Sequence, residues 1–145
     1  MLSELKVGVN IPEISKSITQ TNINRYAEAS RDFNPIHIDQ QYANTTSVGG
    51  TIAHGMMVLA YISQLMTAAF GQDWLSGGNL DVRFKTPARP GDTLTINGEI
   101  SSVEKQDGER LVGCNVLVSN QNGEAIITGK TTVRVKMSGA NETSR

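Results

Sequence analysis

The sequence predicts an α+β domain, in which an antiparallel sheet of about five strands wraps around one long buried helix. Three observations carry this. The stretch from Ala53 to Phe70 is apolar on nearly every face. Most of the chain from about residue 78 to 137 alternates apolar and polar residues in strand-length runs. Asp107-Gly108 and Asn122-Gly123 stand between such runs and read as two-residue hairpin loops.

Thr21 is the expected N-cap of a short helix over Asn22 to Ser30, with Ile23, Tyr26 and Ala27 on one face. Pro35 disfavours helical geometry in the residue before it, so Asn34 is expected to be extended or in a turn. Asp39 to Asn44 suits a second short helix, and Gly49-Gly50 marks a flexible turn. The long helix follows, carrying Met56, Met57, Val58, Leu59, Ala60, Ile62, Leu65, Met66 and Ala69. A helix that is apolar all round is buried, not amphipathic. At about 1.5 Å per residue it runs roughly 25 Å, a domain's width. Gly71 supplies its stop.

Leu80 to Lys85 reads as a strand, ended by Pro87 and Pro90-Gly91. Leu94, Ile96 and Ile100 face one way, while Thr93, Thr95, Asn97 and Glu99 face the other. Val133, Val135 and Met137 alternate with Arg134 and Lys136. One strand near the N-terminus completes the sheet.

A chain of 145 residues suits one domain with one core. Residues 1–137 form that domain, and the small polar stretch 138–145 is expected to fray. Hydrophobic residues make up 38% and charged residues 19%, an ordinary soluble composition. The net charge of -1 offers no general nucleic-acid-binding surface. The single cysteine, Cys114, can build neither an intrachain disulfide framework nor a thiolate metal site. It reads as a small buried hydrophobe. No basic-then-apolar leader opens the sequence. The best membrane candidate, Ala53 to Phe70, contains Ser63, Gln64 and Thr67 and sits at the lower length limit. A cytoplasmic location is the resulting expectation. The sequon Asn141-Glu-Thr143 means little without a secretion signal.

Chemistry concentrates in Asp32-Phe-Asn-Pro-Ile-His37-Ile-Asp39. The chain's two histidines, His37 and His54, both flank the entrance of the long helix. Pro35 stiffens the loop between Asp32 and His37, so two titratable groups can converge on one small molecule. Hydration of a conjugated enoyl thioester needs such a pair, one group to take a proton from water and one to orient it or return a proton to the α-carbon. Each transfer is typically worth about 10²–10⁴-fold. Charge developing on the thioester oxygen suits backbone N–H groups at a helix N-terminus. His54-Gly55-Met56 lies there, and glycine lets a substrate approach the backbone closely. Taken alone, an Asp-x4-His spacing fits a structural aspartate or a capping histidine too.

Tyr26-Ala-Glu-Ala-Ser-Arg-Asp32-Phe-Asn-Pro-Ile-His37-Ile-Asp39, followed by Ala53-His-Gly-Met56, resembles the hydratase signature of MaoC-like proteins. These include (R)-specific 2-enoyl-CoA hydratases and related acyl-carrier-protein dehydratases. Val82-Arg-Phe-Lys-Thr-Pro87 and Pro90-Gly-Asp92 match the family's next segment, so the resemblance covers about residues 20 to 137. It implies a hot-dog fold and, for a single-domain chain, a homodimer. By position, Asp32 and His37 match the catalytic pair: Asp32 to activate water, His37 to hold it and relay a proton to C2. Asn34 matches the asparagine that orients these groups, and Gly55 the glycine whose N–H binds the thioester carbonyl. Ser63 matches a polar position near the active site in some members; a hydroxyl bonded back to a helix carbonyl is its other reading. The family commonly has glycine before the catalytic aspartate, where this chain has Arg31. Arg31 is expected to need ordinary backbone angles; it either perturbs Asp32 or is a solvated surface residue.

The implied reaction is reversible syn hydration of a trans-2-enoyl thioester to an (R)-3-hydroxyacyl thioester. The substrate is carried on coenzyme A or an acyl-carrier protein, and no cofactor or metal is needed. Arg83, Lys85 and Arg89 either meet carrier phosphates or form a solvated strand face. Asp39 either caps a helix or orients His37. His54 either reaches the substrate or makes a structural hydrogen bond. Tyr42 and Trp74 are expected to pack at the core's edge. Two rivals stand beside hydration: an acyl thioesterase on the same fold, and a non-catalytic acyl-binding or partner subunit.

Overall fold

Alternation along the second half of the chain becomes a meander. β3 (Thr93–Gln106), β4 (Glu109–Ser119) and β5 (Ala125–Lys136) pair antiparallel in sequence order. β1 (Asn10–Ser17) joins the free edge of β3, and β2 (Asn79–Phe84) joins that of β5, giving the order β1-β3-β4-β5-β2. The computed structural model describes residues 1–137, so the fraying expected of 138–145 lies outside the described residues. Five helices separate β1 from β2: α1 (Gln20–Ser30), α2 (Pro35–Ile38), α3 (Gln40–Asn44), α4 (Gly55–Phe70) and α5 (Gln72–Gly77).

The two hairpins differ. Asp107 (φ 45°) and Gly108 (φ 80°) form the two-residue loop between β3 and β4, with both centres in the left-handed region that such a turn requires. The β4–β5 connection is longer than the expected two residues and runs over 120–124. Asn120 bridges it, its Oδ1 accepting from the N–H groups of Asn122 and Glu124 at 3.0 Å each. A side chain that reaches over the turn overrides the Asn122-Gly123 signal.

α1 also starts earlier than expected. Its N-cap is Thr19, in extended geometry (φ −124°, ψ 152°), whose Oγ accepts from Asn22 N–H at 3.1 Å. Thr21 lies inside the first turn. The cause is tertiary: Ile18 donates to Asp92 O and accepts from Gly91 N–H, both at 2.8 Å, so sheet pairing holds the chain extended up to Ile18 and frees it there. Three other local expectations match the structure. Asn34 is non-helical (φ −54°, ψ 126°), Asp39 caps α3, and Gly71 ends α4.

α4 packs against β1, β3 and β5. Ile62, Leu65 and Met66 are fully buried against Ile96, Ile100, Val112, Val118, Ile127 and Val133. Gly98 on β3 makes this seating possible. A Cβ there would stand 2.9 Å from Ile11 Cδ1 and 3.2 Å from Leu65 Cδ2, so glycine admits the helix to the sheet. Cys114 is buried in the same core, and burial pushes its thiol pKa up, partly offset by a hydrogen bond with Thr131. Trp74 is buried, whereas Tyr42 is largely exposed.

α4 is not buried all round. Met56 is 60% exposed, and Ala60, Gln64 and Ala68 continue an exposed stripe at four-residue spacing. On β2, Leu80 and Phe84 are exposed too. The sheet covers one side of the helix, and the opposite, largely apolar side stays open among the described residues. Among the described residues, no helix is long and apolar enough to cross a membrane.

Leu65→Ala removes the side chain at the centre of this packing. It is expected to lower unfolding stability by about 2–5 kcal/mol, measured by urea denaturation.

Candidate active site

The Asp32–His37 loop is built by short-range capping. Asp32 Oδ1 accepts from Asn34 N–H at 3.2 Å, and Asn34 Oδ1 accepts from Ile36 N–H at 3.1 Å. Pro35 occupies the first turn of α2, where its missing N–H costs nothing. His37 therefore rides on a one-turn helix, with its backbone N–H bonded to Asn34 O at 3.0 Å.

Tertiary contacts then fix His37 on three sides. Its Nδ1–H donates to Ile52 O at 2.8 Å, which leaves Nε2 of the neutral ring with a lone pair. Gln20 Nε2 donates to the His37 carbonyl at 2.8 Å, and buried Thr51 donates its hydroxyl to Gln20 Oε1 at 2.7 Å. His54 stacks on the ring, with centroids 3.8 Å apart and planes 25° apart.

His54 is 2% exposed and serves as the N-cap residue of α4 without capping it by side chain. Its Nε2–H donates to Asp32 O at 3.0 Å, and Tyr26 packs against it at a tilt, centroids 4.8 Å apart. Its Nδ1 has no hydrogen-bond partner among the described residues. A buried polar atom left this way costs about 1–3 kcal/mol. One ligand atom each from Asp32, His37 and His54 lie within 4.8 Å of one another. Stacked rings direct their in-plane lone pairs along near-parallel planes, a poor arrangement for two nitrogens to meet one ion at about 2.1 Å.

His37 and Gly55 line a cavity of about 280 Å³. Its walls are mostly apolar, from Ile52, Ala53, Val58, Phe84, Ala88 and Ile126, and Lys85 stands at it as well. The N–H groups of Gly55 and Met56, at the start of α4, have no backbone or capping acceptor among the described residues. A Cβ on Gly55 would lie 3.0 Å from the Phe84 ring, so glycine keeps both the ring and the N–H in place.

The remaining candidates stand elsewhere. Ser63 Oγ accepts from Trp74 Nε1 at 3.0 Å, two turns along α4, and Ser63 is not among the cavity's lining residues. Arg83 points to the other face of β2, beside Asp81, Thr128 and Lys130. Arg89 is committed to Val48 O at 2.6 Å. Asp39 Oδ1 accepts from Tyr42 N–H at 3.1 Å, the capping role, and leaves His37 alone. Nothing in the sequence pointed to Gln20 or Thr51, whose partners lie 17 and 31 residues away.

Arg31 departs from the ordinary backbone angles expected of it. It adopts φ 63°, ψ 22°, the left-handed geometry that ends α1 and turns the chain into Asp32. Glycine suits that geometry, which accounts for its use there in the resembling family. The arginine is exposed and pairs with no carboxylate among the described residues.

The family profile described as MaoC like domain matches residues 9–135. The chain belongs to the MaoC-like family. Its relatives include the (R)-specific enoyl-CoA hydratase of Rhodospirillum rubrum, 31% identical over 128 residues, which cover 87% of this chain and 85% of that protein. The mitochondrial 3-hydroxyacyl-[acyl-carrier-protein] dehydratase of Arabidopsis thaliana is 26% identical over 88% of this chain and 76% of its own length. Among solved structures, the unliganded R-hydratase PhaJ1 from Pseudomonas aeruginosa superposes with a TM-score of 0.77 at 31% identity, covering 92% of this chain and 84% of that one. The fold of this MaoC-like chain is accordingly the hot-dog, with α4 as the helix that the sheet enfolds.

Arg31→Gly is expected to raise unfolding stability by up to about 1 kcal/mol. It relieves a left-handed penalty of about 1–2 kcal/mol against a glycine entropy cost of about 0.5–1 kcal/mol. Denaturant midpoints of the two proteins check it.

Proposed function

We propose that this chain is an enoyl-thioester hydratase/dehydratase. It would interconvert a trans-2-enoyl thioester and the (R)-3-hydroxyacyl thioester, carried on coenzyme A or an acyl-carrier protein, in the cytoplasm. The observation that carries the reading is that the His37 ring and the Gly55 N–H, unpartnered among the described residues, share one apolar cavity, with an Asp32 carboxylate oxygen within 4.8 Å of a His37 ring nitrogen. The names and coverage of the relatives support it.

In this reading the acyl chain enters the cavity and its carbonyl oxygen accepts from Gly55 N–H. The partial positive charge at the α4 N-terminus favours the enolate-like oxygen formed as water adds. Asp32 and His37 offer atoms within 4.8 Å of each other, a span that one water bridges with two ordinary hydrogen bonds. His37 holds the water while Asp32 takes one of its protons and the water oxygen bonds to C3; that proton passes from Asp32 by way of His37 to C2, which returns both groups to their starting state. The product gains OH at C3 and H at C2, so one water is consumed and no redox group is required. Asn34 orients the loop through its cap on Ile36. The cavity volume lies just below the usual range of ligand pockets, which favours short acyl groups. Lys85 is the cation placed to meet the carrier's phosphate, while Arg83 and Ser63 fall outside this reading.

The active species is a homodimer in the same reading. The exposed stripe of α4 and the open edge of β2 with Phe84 give a second copy apolar surface and free strand edge to cover. Sedimentation equilibrium is expected to return twice the 15.6 kDa chain mass; a monomer would rule the dimer out.

Loss of conjugated enoyl absorbance with crotonyl-CoA tests the chemistry. Wild type is expected to turn over without thiol release. Asp32→Asn and His37→Gln should each lower kcat by about 10²–10⁴-fold. Thiol release would indicate a thioesterase instead. Absence of turnover on every acyl length and both carriers would leave an acyl-binding or partner subunit.

A further inference from the structure

We infer that His54 is a positioning residue for the proposed hydration. Its Nε2–H fixes the Asp32 backbone, so that the Asp32 carboxylate and the Gly55 N–H keep one register. The inference rests on the hydration reading above and assigns a role to the chain's second histidine.

The argument starts from where His54 sits. It immediately precedes Gly55, the first residue of α4, and it is 2% exposed. Its one side-chain hydrogen bond among the described residues runs from Nε2–H to the carbonyl of Asp32, 22 residues earlier, at 3.0 Å. That bond ties the two halves of the reaction centre directly. The loop that carries Asp32 is joined to the helix end that presents the N–H donor. Nothing else restrains the Asp32 carbonyl among the described residues, and the Asp32 side chain is exposed.

The bond also fixes protonation. A carbonyl only accepts, so His54 carries its proton on Nε2 when neutral, and Nδ1 is left bare and buried. His37 donates through Nδ1 to Ile52 O and is bare at Nε2. The two stacked rings therefore hold opposite tautomers. Stacking on His37 and Tyr26 needs only an aromatic ring, which phenylalanine would supply. Donation to Asp32 needs a nitrogen where Nε2 stands, which the glutamine amide nitrogen approximates. The two functions of His54 can thus be separated by substitution.

The experiment measures kcat and KM for wild type, His54→Phe and His54→Gln with crotonyl-CoA. Long-range ¹H–¹⁵N spectra of the wild type at alkaline pH accompany it, with His37→Gln used to assign the two rings. Expected are a loss of about 10²-fold in kcat for His54→Phe, as for a small misplacement of a reacting group, with KM changed less than about twofold. His54→Gln should recover most of kcat, and the spectra should show an Nε2–H pattern for His54 and an Nδ1–H pattern for His37. An active wild type with equal kcat in His54→Phe and His54→Gln would overturn the positioning role while leaving hydration intact. An Nδ1–H pattern for His54 would overturn it as well, and needs no variant of His54 to fold. An inactive wild type would overturn the hydration reading and this inference with it.

Discussion

The packing of one apolar helix into one curved sheet is the constraint from which the rest follows. Ile62, Leu65 and Met66 of α4 meet the inward rows of β3, β4 and β5, and burying each such side chain is worth about 1.5–3 kcal/mol. Gly98 lets the helix approach closely at the middle of the sheet. With the helix fixed along its length, its first turn has a fixed address as well. The N–H groups of Gly55 and Met56 emerge beside Phe84 and Ala88, where an apolar cavity opens. A loosely held helix would carry the same N–H groups to no defined place.

Against that fixed helix end, the Asp32–His37 loop is assembled from two kinds of interaction. Within the loop, the Asp32 and Asn34 side chains accept from N–H groups two residues ahead, and Pro35 sets the start of α2. These contacts give the loop its shape but not its position. Position comes from outside: Gln20 and Ile52 hold His37, and His54 holds Asp32. Thr51, buried behind Gln20, ties the start of α1 to the strand-like approach to α4. Asp32 and His37 therefore sit where three separate stretches of chain are cross-bonded.

Some stability is given up for this arrangement. Arg31 holds left-handed geometry at the entry to the loop, and His54 keeps a buried nitrogen without a partner among the described residues. The first two N–H groups of α4 go without caps. Each departs from the best local choice, and all three lie at the Asp32 loop or at the helix end bonded to it, as strain and unpaired polar groups do where chemistry is needed. The apolar stripe of Met56 and Ala60 is a further departure, on the face of α4 that the chain's own sheet does not reach.

Local signals in the sequence determined the elements. Alternation marked β2 to β5, the pure apolar run marked α4, and Pro35, Asp39, Gly71 and Asp107-Gly108 marked their breaks within a residue or two. The family motif brought Asp32, His37 and Gly55 into view; His37 and Gly55 line one cavity, and Asp32 stands close to His37. Such signals work because propensity, capping and turn geometry act over a few neighbouring residues and are written in them. Only the tertiary structure decided the rest. Thr19 became the cap because sheet pairing releases the chain at Ile18, and Asn120 lengthened a turn that Asn122-Gly123 seemed to close in two residues. Ser63 went to Trp74, Arg83 to the far face of β2, and His54 to Asp32. Those outcomes depend on which atoms stand opposite one another after folding, and contacts 11 to 31 residues apart leave no periodicity to read.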